Sequence, residues 1–352
     1  MWATKSWTAL LRVCQTTTRF GKTKFTASSL FSAKATRHWC CSENGCASFT
    51  FRQPARSTMS DNYYSGKTAI ITGGASGIGR SIAFGLGRAG ANVVVGDVDA
   101  TAMESMATDL SSEGISHRIE RCDVTSTESL QALLDTSLEA FSQVDLVFAN
   151  AGIGAGEAGP IWGFSEKDWQ WCFNVNLWGA VNSISVFMPY LITRPDRTHM
   201  IITGSGNGAY TVLPDVPIYT ATKAAVHTIT ENLHYQVQMG GLPVVVSALF
   251  PGPHVVETGL FNSGRVRPEE FDKGVIGNET GINSVEDMKR MAEEFGINIQ
   301  TTHPDEVAEM ALAGIPNGDF WLLAHTDESK AKIQRRADMI INKTTPVPES
   351  VG

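Results

Sequence analysis

The sequence predicts a single doubly wound α/β domain: a parallel sheet of about seven strands with helices on both faces. Three observations carry this. From Lys67 onward, short runs rich in Val and Ile recur; each is apolar throughout instead of alternating; and helical stretches of roughly 12 to 25 residues separate them. A strand with no polar face must be covered on both sides, which is the condition of a parallel sheet between helix layers.

The first strand, 69–72, ends in a Gly-rich turn at 73–79 that opens the first helix. The second, 92–96, closes on Asp97, and Asp99 starts the helix after it. Ser126 starts the helix that follows the third strand, 117–122. Asp and Ser at these points accept hydrogen bonds from first-turn amides that have no partner in the helix. The fourth strand, 144–149, runs into Asn150-Ala151-Gly152, and Ser165 begins the next helical pattern. Strands at 199–203, 244–250 and 320–323 complete the sheet. Between Pro253 and about Thr302 the alternation lapses into Gly, Pro, Asn and charged residues. That stretch reads as a structureless lid or substrate loop, because long insertions in compact domains are commonly functional. With no internal repeat and no low-complexity linker, residues 61–352 are expected to form one domain.

At 352 residues and 42% hydrophobic, the chain can bury a large core. Its formal charge of -8 hides a division. Residues 1–60 hold nine Lys and Arg against Glu43 alone, a balance of +8, so the rest carries -16. A folded part this acidic is a poor nucleic-acid binder. The basic leader has the composition of a mitochondrial transit peptide, with Trp2, Trp7, Leu10, Leu11 and Val13 around Lys5 and Arg12 forming a loosely amphipathic first helix. A matrix location follows from that reading. The alternative starts the working chain at Met59 and leaves it in the cytoplasm. A secretory signal is excluded, since Arg12 stops the apolar run at 8–11. Cys40, Cys41 and Cys46 with His38 lack the paired spacing of a zinc site, so no metal is expected. Cys122 and Cys172 are too few for a disulfide framework. No run of about 18 apolar residues marks a transmembrane helix.

The turn after the first strand supplies the first chemical signal. Thr72 ends the strand, and Gly73, Ser76, Gly77, Ile78 and Gly79 lead into the helix. Glycine admits positive φ and close approach of a diphosphate, while the helix start offers free amides and a positive dipole end. Gly66-Lys67-Thr68 resembles the end of a triphosphate loop, but Asp61 stands where its leading Gly belongs, and the strand follows it. Asp97, 18 residues beyond Gly79, is placed to accept hydrogen bonds from the adenosine ribose. Its charge would repel a 2'-phosphate, and no Lys or Arg lies between Val93 and Asp109, so NAD is favoured over NADP.

Tyr219 and Lys223 head a helical pattern four residues apart and therefore share a face. A phenol with a reference pKa of about 10 needs a nearby cation to accept a proton at neutral pH. Ser205 follows the fifth strand, and Asn176 sits in Asn174-Val-Asn-Leu-Trp-Gly179. These segments together resemble the short-chain dehydrogenase/reductase family, from Lys67 to about Pro253. The motifs stand in the family's order: the Gly-rich turn, Asp123 after the third strand, Asn150-Ala151-Gly152, Asn176, Ser205, Tyr219-x-x-x-Lys223 and Pro251-Gly252. The resemblance implies that Tyr219 is the general acid/base and Ser205 holds the substrate oxygen. Lys223 then binds the nicotinamide ribose and lowers the Tyr219 pKa, and Asn176 supports a proton relay through water. It further implies that Asp123, with Val124, contacts the adenine end, that Asn150 helps hold the cofactor, and that the protein is a homodimer or homotetramer built from helices near 175–190 and 220–238.

Two departures stand out. Ser205 lies 14 residues before Tyr219, where many members have 13, so an extra residue is expected to be absorbed between Gly208 and Pro217. Thr258, six residues past Gly252, comes later than the family's carboxamide-contacting Thr, so its cofactor role is less secure. His254 reads as an exposed loop residue. The aromatic stretch of Trp162, Phe164, Trp169, Trp171, Phe173 and Trp178 reads mainly as core or subunit interface, with one or two residues for an apolar pocket. The resulting expectation is NAD-dependent hydride transfer to or from a small to medium apolar secondary alcohol or ketone. Rival readings are an NADPH-dependent carbonyl reductase and a non-catalytic dinucleotide-binding scaffold or sensor.

Overall fold

Each apolar run pairs in parallel with its neighbours. In the computed structural model, which describes residues 63–154, 160–272, 282, 284–294, 296–324 and 326–348, the strands are β1 (Thr68–Thr72), β2 (Asn92–Asp97), β3 (His117–Arg121), β4 (Leu146–Ala149), β5 (Thr198–Thr203), β6 (Val244–Phe250) and β7 (Trp321–Leu323). They form one sheet in the order 3-2-1-4-5-6-7. The order reverses between β1 and β4, and at such a switch point a crevice opens beyond the carboxyl ends of the strands. The basic leader, with its four cysteines, lies outside the described residues.

The helices are α1 (Gly77–Arg88), α2 (Ala100–Ser112), α3 (Thr127–Phe141), α4 (Glu166–Cys172), α5 (Gly179–Leu191), α6 (Pro217–Gly240), α7 (Val285–Glu294), α8 (Pro304–Gly314) and α9 (Asp327–Ile341). Asp99 and Ser126 cap α2 and α3 through their side chains, and Ser165 with Asp168 forms a capping box on α4. Between α4 and α5 the chain widens into a π-helical turn, Phe173–Trp178, which carries Asn176. No helix among the described residues is long and apolar enough to cross a membrane.

Alternate residues of a strand face opposite layers. Ile71, Val93, Val95 and Phe148 therefore pack with Ile82 and Leu86 of α1 and Val307 and Ala311 of α8, while Ile70, Val94, Val147 and Met200 meet Leu130 and Leu133 of α3 and Phe187 of α5. Burying a large apolar side chain of this kind contributes about 1.5 to 3 kcal/mol. The two layers hold the carboxyl ends of β1, β4 and β5 as a rigid platform for the crevice.

Two expectations are corrected. Residues 144 and 145 precede β4 instead of belonging to it, because the Asp145 carboxylate accepts from the Thr68 amide at 2.9 Å and pairs with Arg194 at 3.2 Å. The stretch after Pro253 is not structureless: Val255–Val256 pair with Thr301–Thr302, a 3-10 segment spans Gly259–Val266, and α7 follows. Its apolar positions, Val285, Met288 and Met291, recur at helical spacing among charged residues, a sparse pattern that is hard to see beside so many Gly and Pro.

Candidate active site

Residues spread from Gly73 to Arg335 line one cleft of about 1510 Å³ at the switch point. Behind its wall Thr72, 1% exposed, ties two turns together. Its hydroxyl donates to the Phe148 carbonyl at 3.3 Å and accepts from the Asn150 and Ala151 amides at 3.1 and 3.2 Å. The Asn150 side-chain amide donates to the carbonyls of Thr72 and Gly73, and its oxygen accepts from the Thr203 hydroxyl at 3.1 Å. Gly73 has φ +61°, and a Cβ there would stand 2.7 Å from the Ala151 Cα; one on Gly79 would run into the Gly73 carbonyl. Both turns need glycine to approach this closely. α1 starts without a side-chain cap, and Gly77 and Ile78 of its first turn face the cleft beside Gly73 and Ser76. Amides of that kind suit a diphosphate.

At the other side of this turn the Asp97 carboxylate accepts from the amides of Ala75, Val98 and Asp99 at 3.0, 2.8 and 3.1 Å and lines the cleft. Asp123 accepts from the amide and hydroxyl of Thr125 and lines it with Val124, Ala151 and Gly152. Two cations stand at this end that local sequence did not show. Arg121 is the β3 partner of Asp97, and the Arg265 Nε donates to Asp99 at 2.9 Å. Pro251 and Thr258 also line the cleft; Thr258 lies against Gly77, where a Cβ would stand 3.0 Å from its methyl group. Gly252, in a cis peptide with Pro253, is not on the wall.

α6 delivers Tyr219 and Lys223 from its first two turns, with Pro217 at its start setting the helical φ. The Lys223 side chain is buried, donates to the Thr203 carbonyl at 2.9 Å, and lies 5.7 Å from the centre of the Tyr219 ring. Burial pulls its pKa down from 10.5 to about 8, since the charged ammonium loses its water. Ser205, just past β5, shares the cleft wall with Tyr219 and Lys223. Asn176 lies behind that wall, as do Thr72 and Gly79. Its oxygen accepts from the Ile153 amide at 2.8 Å, and its NH₂ donates to the Ile153 carbonyl, the Cys172 sulfur and the Thr222 hydroxyl. A Cβ on Gly152 would stand 3.5 Å from both the Asn176 oxygen and the Lys223 nitrogen, which places the two groups together.

Beyond the Tyr219 end the cleft is walled by Trp171, Tyr210, Leu213, Phe271, Met288 and Met291. Trp171 is thus the pocket aromatic of its stretch, while Trp162 and Trp178 are 85% and 54% exposed. Behind Trp171, Arg267 stacks on its ring at 4.7 Å and pairs with buried Asp168 at 2.8 Å, fastening the segment after Val266 to α4. His254 is half-buried on the cleft wall, 3.7 Å from Glu328 of α9, and not an exposed loop residue.

A doubly wound sheet whose switch-point crevice opens beside a Gly-rich strand-to-helix turn is the architecture of a dinucleotide-binding fold. Comparison with known proteins gives the family. The short chain dehydrogenase model matches residues 67–265. The CLA biosynthesis dehydrogenase/reductase of Lactiplantibacillus plantarum is 26% identical over 283 residues, 80% of this chain and 95% of that one. The C alpha-dehydrogenase of a Sphingobium species is 27% identical over 282 residues, 80% and 87% of the two chains. The crystal structure of a short-chain dehydrogenase/reductase from Burkholderia phymatum in complex with NAD superposes with a TM-score of 0.73 at 30% identity, over 81% of this chain and 98% of that one. The chain belongs to the short-chain dehydrogenase/reductase family, and is an oxidoreductase.

Proposed function

We propose that the protein is an NAD-dependent dehydrogenase of an apolar secondary alcohol, or the reductase of the corresponding ketone. The observation that carries this is the desolvated Lys223 ammonium beside Tyr219 on the same cleft wall as Ser205 and the Gly-rich turn. The cleft exceeds the roughly 300–1,000 Å³ of a single small-ligand pocket, which supports a dinucleotide together with a substrate of at least medium size.

Bound nicotinamide would supply the hydride acceptor, held by the turn at 73–79, by Asp97 at the adenosine ribose and by Asn150 and Thr258 along the cleft. Tyr219 accepts the hydroxyl proton as the carbinol hydride leaves, and returns it in the reverse direction. Ser205 donates to the substrate oxygen and keeps it near Tyr219. Lys223 holds the nicotinamide ribose, and its positive charge favours the phenolate. Asn176 supports a relay that carries the proton on to solvent through water, while its side chain steadies the Ile153 backbone.

Arg121 and Arg265 at the adenosine end favour a second reading, in which NADPH drives carbonyl reduction. A panel of secondary alcohols and ketones with NAD(H) and NADP(H), followed by nicotinamide absorbance, separates the two; no cofactor turnover with any member would remove both. Exposed Trp178, Tyr235 and Met239, on or beside the two helices expected at the interface, support a homodimer or homotetramer, which sedimentation would test. The basic leader supports a mitochondrial address, to be checked by N-terminal sequencing of the native protein.

A further inference from the structure

Ser205 stands at the end of a strand and Tyr219 on a helix, and the segment between them is exposed at Val212, Leu213, Pro214 and Asp215. An exposed connection cannot by itself hold two proton-transfer groups in register. One buried residue spans the gap. Asn207 is 9% exposed and lines the cleft. Its backbone amide donates to the Ser205 hydroxyl oxygen at 3.2 Å. Its side-chain oxygen accepts from the Leu213 amide at 3.1 Å and stands 3.0 Å from the hydroxyl of Thr220, the residue after Tyr219, whose one proton it shares with the Val216 carbonyl at 2.8 Å. The next residue, Gly208, has φ +96°, and a Cβ there would stand 2.6 Å from the Ala224 amide nitrogen and 2.7 Å from the Thr220 carbonyl. The turn is thereby pressed onto the backbone of α6 at the two turns that carry Tyr219 and Lys223.

We infer that Asn207 is a positioning residue that sets Ser205 against Tyr219, an inference that rests on the dehydrogenase proposal. A serine hydroxyl has one proton and two acceptor sites. With an acceptor site taken by the Asn207 amide, the single Ser205 proton is left for the substrate oxygen. The side chain acts at a distance: by gripping Leu213 and Thr220 it fixes where its own amide points. Asparagine and aspartate both offer an oxygen to these two donors, and alanine offers none.

The test is a double-mutant cycle in the full chain, with Asn207→Ala and Asn207→Asp made in the wild-type and Ser205→Ala backgrounds. Asn207→Ala is expected to lower kcat by about tenfold, the scale of one net hydrogen bond, with NADH affinity unchanged, and Asn207→Asp to recover most of the loss. In the Ser205→Ala background the same alanine substitution should lower kcat by less than about twofold. An equal fold loss in both backgrounds would overturn the inference, since a purely structural defect is indifferent to Ser205. If Asn207→Ala does not fold, Thr220→Val, which deletes one of the two donors, carries the same comparison. Hydrogen exchange reads the tether without turnover. Faster exchange of the Leu213 amide in Asn207→Ala is expected, and unchanged exchange would overturn the inference even if the dehydrogenase proposal stands. A wild-type protein that turns over no substrate would defeat the dehydrogenase proposal and with it this role for Asn207, whatever the exchange result.

Discussion

Replacing Lys223 by Met should change how stability depends on pH, and by an amount the structure specifies. Burial lowers the Lys223 pKa from 10.5 to about 8. Below pH 8 the side chain is charged in both folded and unfolded states, and the native state bears the full cost of the buried ammonium. Between 8 and 10.5 the unfolded chain still holds the proton that the folded one has released, so stability rises with pH. At about 1.4 kcal/mol per pH unit, the interval is worth about 3 kcal/mol, present above the unfolded pKa and lost as pH falls through 8. Met removes this contribution and leaves every other titrating group in place. Urea denaturation of cofactor-free wild type and Lys223→Met from pH 7 to pH 10.5 should therefore show the wild type gaining about 3 kcal/mol on the variant. A difference that stays flat across this range would show that the ammonium is not desolvated.

Removing the Asp97 charge by Asp97→Ser should raise kcat/KM for NADP relative to NAD by at least about tenfold, since a carboxylate near a 2'-phosphate costs several kcal/mol at an effective dielectric of about 20; initial rates with both cofactors check this, and an unchanged ratio would exclude Asp97 from ribose recognition. Arg267→Met leaves the buried Asp168 carboxylate without its guanidinium and should destabilise the fold by about 3 to 5 kcal/mol. Chemical denaturation measures that loss, and a value under about 1 kcal/mol would contradict the burial of the pair.

The sheet was legible because a parallel strand buried on both faces needs an unbroken apolar run, and because Asp99, Ser126 and Ser165 mark helix starts through local hydrogen bonding. The cofactor turn and the Tyr219–Lys223 pair were legible for a related reason: their geometry is set within a few residues by glycine conformation and helical spacing. What stayed hidden depends on distant partners. Arg265 meets Asp99 across 166 positions, so the charge around Asp97 and Asp99 could not be read from residues 93–109 alone, and Arg267 likewise meets Asp168 across 99. The apolar cleft wall is drawn from α4, the turn after β5, and α7, and no single period connects Trp171, Tyr210 and Met291. Asn207 carries no local sequence signal, because its contact with Thr220 arises only once the loop folds back on α6.

Tyr219→Phe removes one oxygen from the cleft and leaves the ring. Stopped-flow turnover, with NADH binding measured on the same protein by fluorescence, tests the central proposal most directly. Loss of the general acid/base should lower kcat by about 10²- to 10⁴-fold while NADH affinity stays within about twofold. A variant that keeps kcat within about tenfold of wild type would show that the proton moves through another group.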